Sequence, residues 1–139
     1  MRSQKLGSVL AVRVDRGEEL LGGLKAACLK HGVKAGVVTG IGATDDFTVG
    51  VYDVETRVYR ALDYKGPHEI VSLVGNITTK NGEYYAHLHM SAGNETGALV
   101  GGHLNRAVIS ATSEIFITLI DGTVERETDE ETGLNLLSL

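Results

Sequence analysis

The sequence holds one cysteine, one proline and no tryptophan in 139 residues. A lone Cys28 excludes an internal disulfide framework and a cysteine-based zinc knuckle. No apolar run approaches the ~18–20 residues of a membrane span. Met1-Arg2-Ser3-Gln4 opens no signal peptide, so a soluble, cytoplasmic chain is expected. Positive charge is also scarce, with 13 Lys and Arg against 18 Asp and Glu, a net charge of -5. The imbalance is local: Asp121, Glu125, Glu127, Asp129, Glu130 and Glu131 surround the single base Arg126, and the rest of the chain is neutral. An overall basic footprint for nucleic acid is therefore absent. What is present is globular in balance, with 42% hydrophobic and 22% charged residues. The length predicts one domain over residues 1–139, large enough to bury about two-thirds of its unfolded surface. Eighteen glycines against one proline imply tight hairpins, bulges and close backbone approach, not linkers.

The pattern along the chain predicts an α+β fold: a mostly antiparallel sheet of six to seven strands with one main flanking helix. Ser8–Val14 reads as the first strand. Asp15 then stands at an N-cap position with Glu18 three residues on, the spacing of a capping box. Leu20, Leu21, Leu24, Ala27 and Cys28 recur at helical spacing, and Gly32 follows Lys30 and His31 as a C-terminal stop. Cys28 lies on that stripe and is read as a core filler, because apolar surroundings raise a thiol's pKa. Gly22-Gly23 inside the helix costs ~1 kcal/mol per glycine relative to alanine, which a close-packed sheet beneath would explain. After the helix, strands are expected at Val33–Ile41, Thr48–Asp53, Arg57–Tyr64, Glu69–Thr79, Tyr84–Ala92, Ala98–Asn105 and Ala107–Ile120. Their two- to five-residue turns require antiparallel pairing. The acidic segment 121–139 is expected to dock in part through Leu134, Leu136 and Leu137.

The chemically informative residues are His87, His89 and His103. In a strand, residues two apart share a face, so His87 and His89 point the same way. If Glu95 centres the Gly93–Gly97 turn, His103 lies directly across from His87, with His89 on the diagonal and Gly101 opposite His89. Ala86, Leu88, Met90, Val100 and Leu104 then point to the other, apolar face. The histidine face carries Tyr85, Ser91, Gly101 and Asn105. Three imidazoles with an open fourth position form a zinc-type donor set, with nitrogen ~2.0–2.1 Å from the metal. Other imidazole-binding divalent metals are compatible with it. Tyr85 and Asn105 are candidates for supporting the ligands, while His68 and His31 read as surface or packing residues. No serine stands in a glycine-framed nucleophile elbow, and Gly40-Ile41-Gly42-Ala43 leads into a strand, not into the helix a dinucleotide site needs.

Gly40-Ile41-Gly42-Ala43, Leu73-Val74-Gly75-Asn76-Ile77, His87-Leu88-His89 and Gly101-Gly102-His103-Leu104, in that order and spacing, resemble the plants-and-prokaryotes-conserved (PPC) domain. In land plants that domain accompanies AT-hooks in nuclear DNA-binding proteins. Glu127–Leu134 resembles the end of free-standing prokaryotic members. The resemblance implies an antiparallel sheet with a flanking helix, a homotrimer, and a metal, zinc, at His87, His89 and His103. Gly66-Pro67-His68-Glu69-Ile70-Val71 departs at three positions from the partner-contact segment of the plant proteins, and no AT-hook is present. Two functions follow as expectations. One is a free-standing, trimeric, metal-binding PPC protein of a family described as DNA-binding. The alternative is a metal-dependent hydrolase or lyase using the three-histidine site, with Glu69 or Tyr85 assisting proton transfer.

Overall fold

Glu19, not Asp15, caps the helix. Its carboxylate accepts from Leu21 N at 3.1 Å and Gly22 N at 2.7 Å, and α1 runs Leu20–His31. The Asp15/Glu18 pair is used one turn earlier, where Glu18 Oε2 accepts from Asp15 N at 2.9 Å and closes the strand-to-helix corner. At the other end Gly32 adopts the left-handed conformation at φ 65° and returns its N–H to the last turn. Gly23 lets the helix pack close: a Cβ there would sit 3.2 Å from a Val14 methyl on the strand below, tighter than an ordinary contact. Leu20, Leu24, Ala27 and Cys28 are fully buried on that face. Burial pushes the Cys28 thiol up to about 12, consistent with a packing role.

The computed structural model describes all residues, Met1–Leu139, as one helix and eight strands. The strands are β1 (Arg2–Leu6), β2 (Val9–Asp15), β3 (Gly36–Asp53), β4 (Val58–Lys80), β5 (Glu83–Gly93), β6 (Leu99–Leu119), β7 (Glu125–Thr128) and β8 (Asn135–Ser138). The α+β class and the single flanking helix stand, with one strand more than the upper expectation. Three segments that the sequence pattern divides are in fact continuous. Val33–Ile41 and Thr48–Asp53 join in β3, Arg57–Tyr64 and Glu69–Thr79 in β4, and Ala98–Asn105 and Ala107–Ile120 in β6. Gly66 and Pro67 do not end β4. The pairing passes from Asp46–Lys65 to Thr44–His68, so the two residues form a bulge that absorbs Pro67's missing donor. β1, which carries no hydrophobic alternation, and the short β7 and β8 supply the added strands.

The order β1-β2-β6-β3-β4-β7-β8 is antiparallel except for one parallel β4–β7 bridge. β5 pairs with both β4 and β6, which also flank β3, so β3, β4, β5 and β6 close a ring of pairings. Phe47, Ile70, Leu73, Ile77, Leu88, Met90, Ile109 and Ile117 face inward and join the helix stripe in one core. The face turned away from this core keeps Val37, Ile41, Val71, Val74 and Phe116 about half exposed. No helix is long and apolar enough to cross a membrane.

Candidate metal centre

His87 and His89 lie on β5 and His103 near the start of β6. The residue directly across from His103 is His89, not His87, and Gly101 opposes Ser91. The reason lies in the turn. Asn94 Oδ1 accepts from Thr96 N at 3.0 Å and Ala98 N at 3.1 Å, and Gly97 takes φ 80°, which re-centres the hairpin on Thr96. The shift moves each partner by two residues, so every side chain keeps its face. Leu88, Met90 and Leu104 are buried in the core, and the three histidines remain together on the other side.

The imidazoles form a triangle. Ring centroids are 5.2 Å apart for His87–His89 and for His87–His103, and 5.6 Å for His89–His103. One ligand nitrogen from each lies within 4.8 Å of the other two. This donor set fits a zinc-type ion: three neutral nitrogens, half-buried to exposed, with no thiolate or carboxylate among them. Burial is the main cause lowering the proton affinity of His87 and His103, and neighbouring cationic groups add to it. At neutral pH both rings are therefore uncharged and free to donate a lone pair.

Neighbouring strands shape the space around the triangle. His103 pairs across to Gly50 of β3. A Cβ at Gly50 would meet Tyr59 Oη at 2.5 Å, so the glycine lets the Tyr59 ring lie over this strand. Tyr59 donates to Asn105 Oδ1 at 2.6 Å and approaches His103 edge-on at 6.2 Å. Asn105 thus acts on the site through Tyr59. Tyr85 underlies the Arg126 guanidinium at 4.8 Å from its ring centroid. Glu69 pairs with Ala43 and Gly93 at the far end of the β4–β5 ladder and does not line the cleft. His68 bonds Gly66 O at 2.8 Å and packs edge-on to Phe47, and His31 meets Ser3 Oγ at 3.0 Å, so both stay outside the site.

The histidines open onto a cleft of about 790 Å³. Its walls include Tyr59, Asn76, Tyr85, Arg126 and the segment Gly133–Leu137. Arg126, Asn76 and this wall escape the sequence reading. One signal in the sequence points there, since Arg126 is the one base in an acidic stretch; the place of Asn76 opposite His87 emerges only from the β4–β5 register.

With the geometry in hand, the comparisons agree on kinship. The Plants and Prokaryotes Conserved (PCC) domain profile matches residues 1–121. The chain belongs to this family. A plant- and prokaryote-conserved (PPC) protein of Pyrococcus horikoshii is 34% identical, with TM-score 0.86 over 97% of this chain and 94% of its own. A metal-containing protein of Archaeoglobus fulgidus is 31% identical, with TM-score 0.87 over 97% and 96%. A protein of Bacteroides thetaiotaomicron named as a "putative dna binding protein" is 27% identical, with TM-score 0.95 over 99% and 96%. No curated protein matches the sequence.

Proposed function

We propose that this PPC-family chain is a free-standing, homotrimeric metal-binding protein that holds one divalent ion, zinc, through His87, His89 and His103. The observation that carries the reading is the convergence of three imidazole nitrogens at the mouth of a cleft. The metal-containing Archaeoglobus relative supports it. Elemental analysis of zinc-loaded, dialysed protein tests it. One equivalent per chain is expected, and a substoichiometric trace refutes the reading.

The trimer rests on the family resemblance and on the half-exposed Val37, Ile41, Val71, Val74 and Phe116 of the outer sheet face, a patch of the kind that association covers. Multi-angle light scattering should report about three times the 14.8 kDa chain at micromolar concentration. A mass of one chain excludes it.

The cleft favours a second reading, a metal-dependent hydrolase or lyase. A three-imidazole zinc, when bound, supplies Lewis acidity and brings the pKa of a water ligand to ~7. The chain's own part would be to position substrate through Tyr59, Tyr85 and Asn76 and to hold negative charge at Arg126. Turnover of an ester or hydroxy-acid panel that is lost with chelator and restored with zinc separates this reading from a purely structural metal.

A DNA-related role, as the Bacteroides relative's name suggests, has little electrostatic support in the isolated chain. Arg106 and Lys65 are committed to Asp46, and Arg2 and Arg13 to Asp15. Arg126 is buried. Duplex binding should therefore be weaker than ordinary non-specific binding of ~10⁻⁴–10⁻⁶ M at physiological salt. Fluorescence anisotropy with AT-rich and mixed duplexes is the measurement, and sub-micromolar binding with a steep salt slope would overturn the expectation.

A further inference from the structure

Arg126 is 6% exposed and forms no ion pair; the ion pairs of the chain gather at Asp15, Glu18 and Asp46. A buried guanidinium without a carboxylate is costly, because neutral partners replace hydration but not the missing countercharge. Here the partners are all neutral. Nε donates to Thr78 Oγ1, Nη1 to the Asn135 backbone carbonyl and Nη2 to Asn76 Oδ1, each at 2.7 Å. A guanidinium has five N–H donors, so two remain without an acceptor in the protein. The Tyr85 ring fixes its plane from one side, and its neutral partners hold it at the wall of the histidine cleft. The guanidinium fork is held in place, and its two remaining N–H donors, one on Nη1 and one on Nη2, are of the kind that a carboxylate or phosphate accepts.

We infer that the cleft binds a small free oxyanion, a carboxylate or phosphate group, on Arg126 beside the histidine triangle. The Asn76 amide and the Tyr85 hydroxyl flank the position, and the apolar Val51, Leu134 and Leu136 line the cleft beyond it. A ligand of this shape has an anionic head and a modest apolar body. Phosphates of duplex DNA are a poor match, since Arg126 lies inside a cleft and not on a convex surface. The inference goes beyond the metal reading and does not need it, because the fork is built by Thr78, Asn76, Asn135 and Tyr85 alone. Arg126, Asn135 and the Leu134–Leu136 wall lie past the residues matched by the family profile, which end at 121, whereas Asn76, Thr78 and Tyr85 lie within them.

The test is isothermal titration of the full chain with inorganic phosphate, malonate and a 20-base-pair duplex, each with metal-free and zinc-loaded protein. Phosphate or malonate should saturate at or below roughly 1 mM. Arg126→Met should weaken that binding at least ~10-fold, with Arg126→Lys in between, as expected for charge-assisted bonds. Because Arg126→Met removes three internal hydrogen bonds and can unfold the β7–β8 edge, the wild type carries a second readout. The Arg126 Nε–H resonance should shift on adding phosphate or malonate. Binding in the metal-free arm supports the oxyanion site even if zinc analysis fails. No saturable binding by either small anion in either arm, an unmoved Arg126 resonance, or equal affinity in folded Arg126→Met overturns it. So does saturable binding by the duplex alone.

Discussion

Replacing His87 and His103 together by alanine is expected to abolish stoichiometric zinc binding and leave the fold in place. Neither ring sits in the core, and substitutions at such positions usually change stability by ~0.5 kcal/mol or less. Metal affinity should respond far more strongly. Losing a partner that merely orients a ligand costs ~10–100-fold, and here two of three donors disappear, so the loss should exceed 100-fold. Elemental analysis after dialysis and a zinc titration monitored by calorimetry give the result. Zinc retained at one equivalent in the double variant would place the metal elsewhere. Acidification should act in the same direction as the mutations. The folded-state pKa of His87 and of His103 is lowered from 6.5 by burial first, so both stay neutral as pH falls from 8 through 6.5. Proton competition, and with it zinc release, begins below that value. The apo fold loses stability in the same window, since the unfolded chain takes up those protons first.

The histidine site was legible because the information needed was only parity. Residues 87, 89 and 103 are all odd, and any hairpin register that keeps odd opposite odd brings them to one face. The expected register was off by two, yet the triangle formed, because Asn94 shifted the turn without changing parity. The continuity of β3 and β4 was not legible. Gly40, Gly42, Gly66 and Pro67 are turn signals in isolation, but here they sit at bulges of a closed ring. A Cβ at Gly42 would meet Thr112 O at 2.5 Å, so that glycine lets β6 approach and does not end the strand. Arg126 was hidden for a different reason. Counted as charge, it disappears among six acids; only the fold turns it inward while Glu125 stays with Thr79 and Gly82 on the outside. Linear charge counts thus missed the one buried cation, which has no carboxylate partner.

Gly75→Ala should be the most damaging single-methyl change in the molecule. Gly75 lies on β4 between Val38 of β3 and Leu88 of β5. A Cβ there would stand 2.0 Å from the His87 carbonyl oxygen and 2.9 Å from Leu88 Cα. Both obstacles are backbone, so no rotamer change relieves them, and β5 must move away from β4 at the residue that carries the first imidazole. The cost should reach the upper end of overpacking penalties, ~3 kcal/mol, or a fall in Tm of ~10 °C for a chain of this size. Gly82 provides the contrast. It also has an unusual backbone, with φ 77° in the β4–β5 turn, but a Cβ there meets nothing. Gly82→Ala should therefore cost only the ~1–2 kcal/mol of a left-handed non-glycine residue and leave zinc binding intact. Thermal unfolding followed by circular dichroism, with zinc stoichiometry on the folded material, measures both effects. The expected order is a large loss of stability and of metal for Gly75→Ala, and a small loss of stability alone for Gly82→Ala. Equal destabilisation by the two, or full zinc binding by Gly75→Ala, would show that the β4–β5 contact does not set the position of His87.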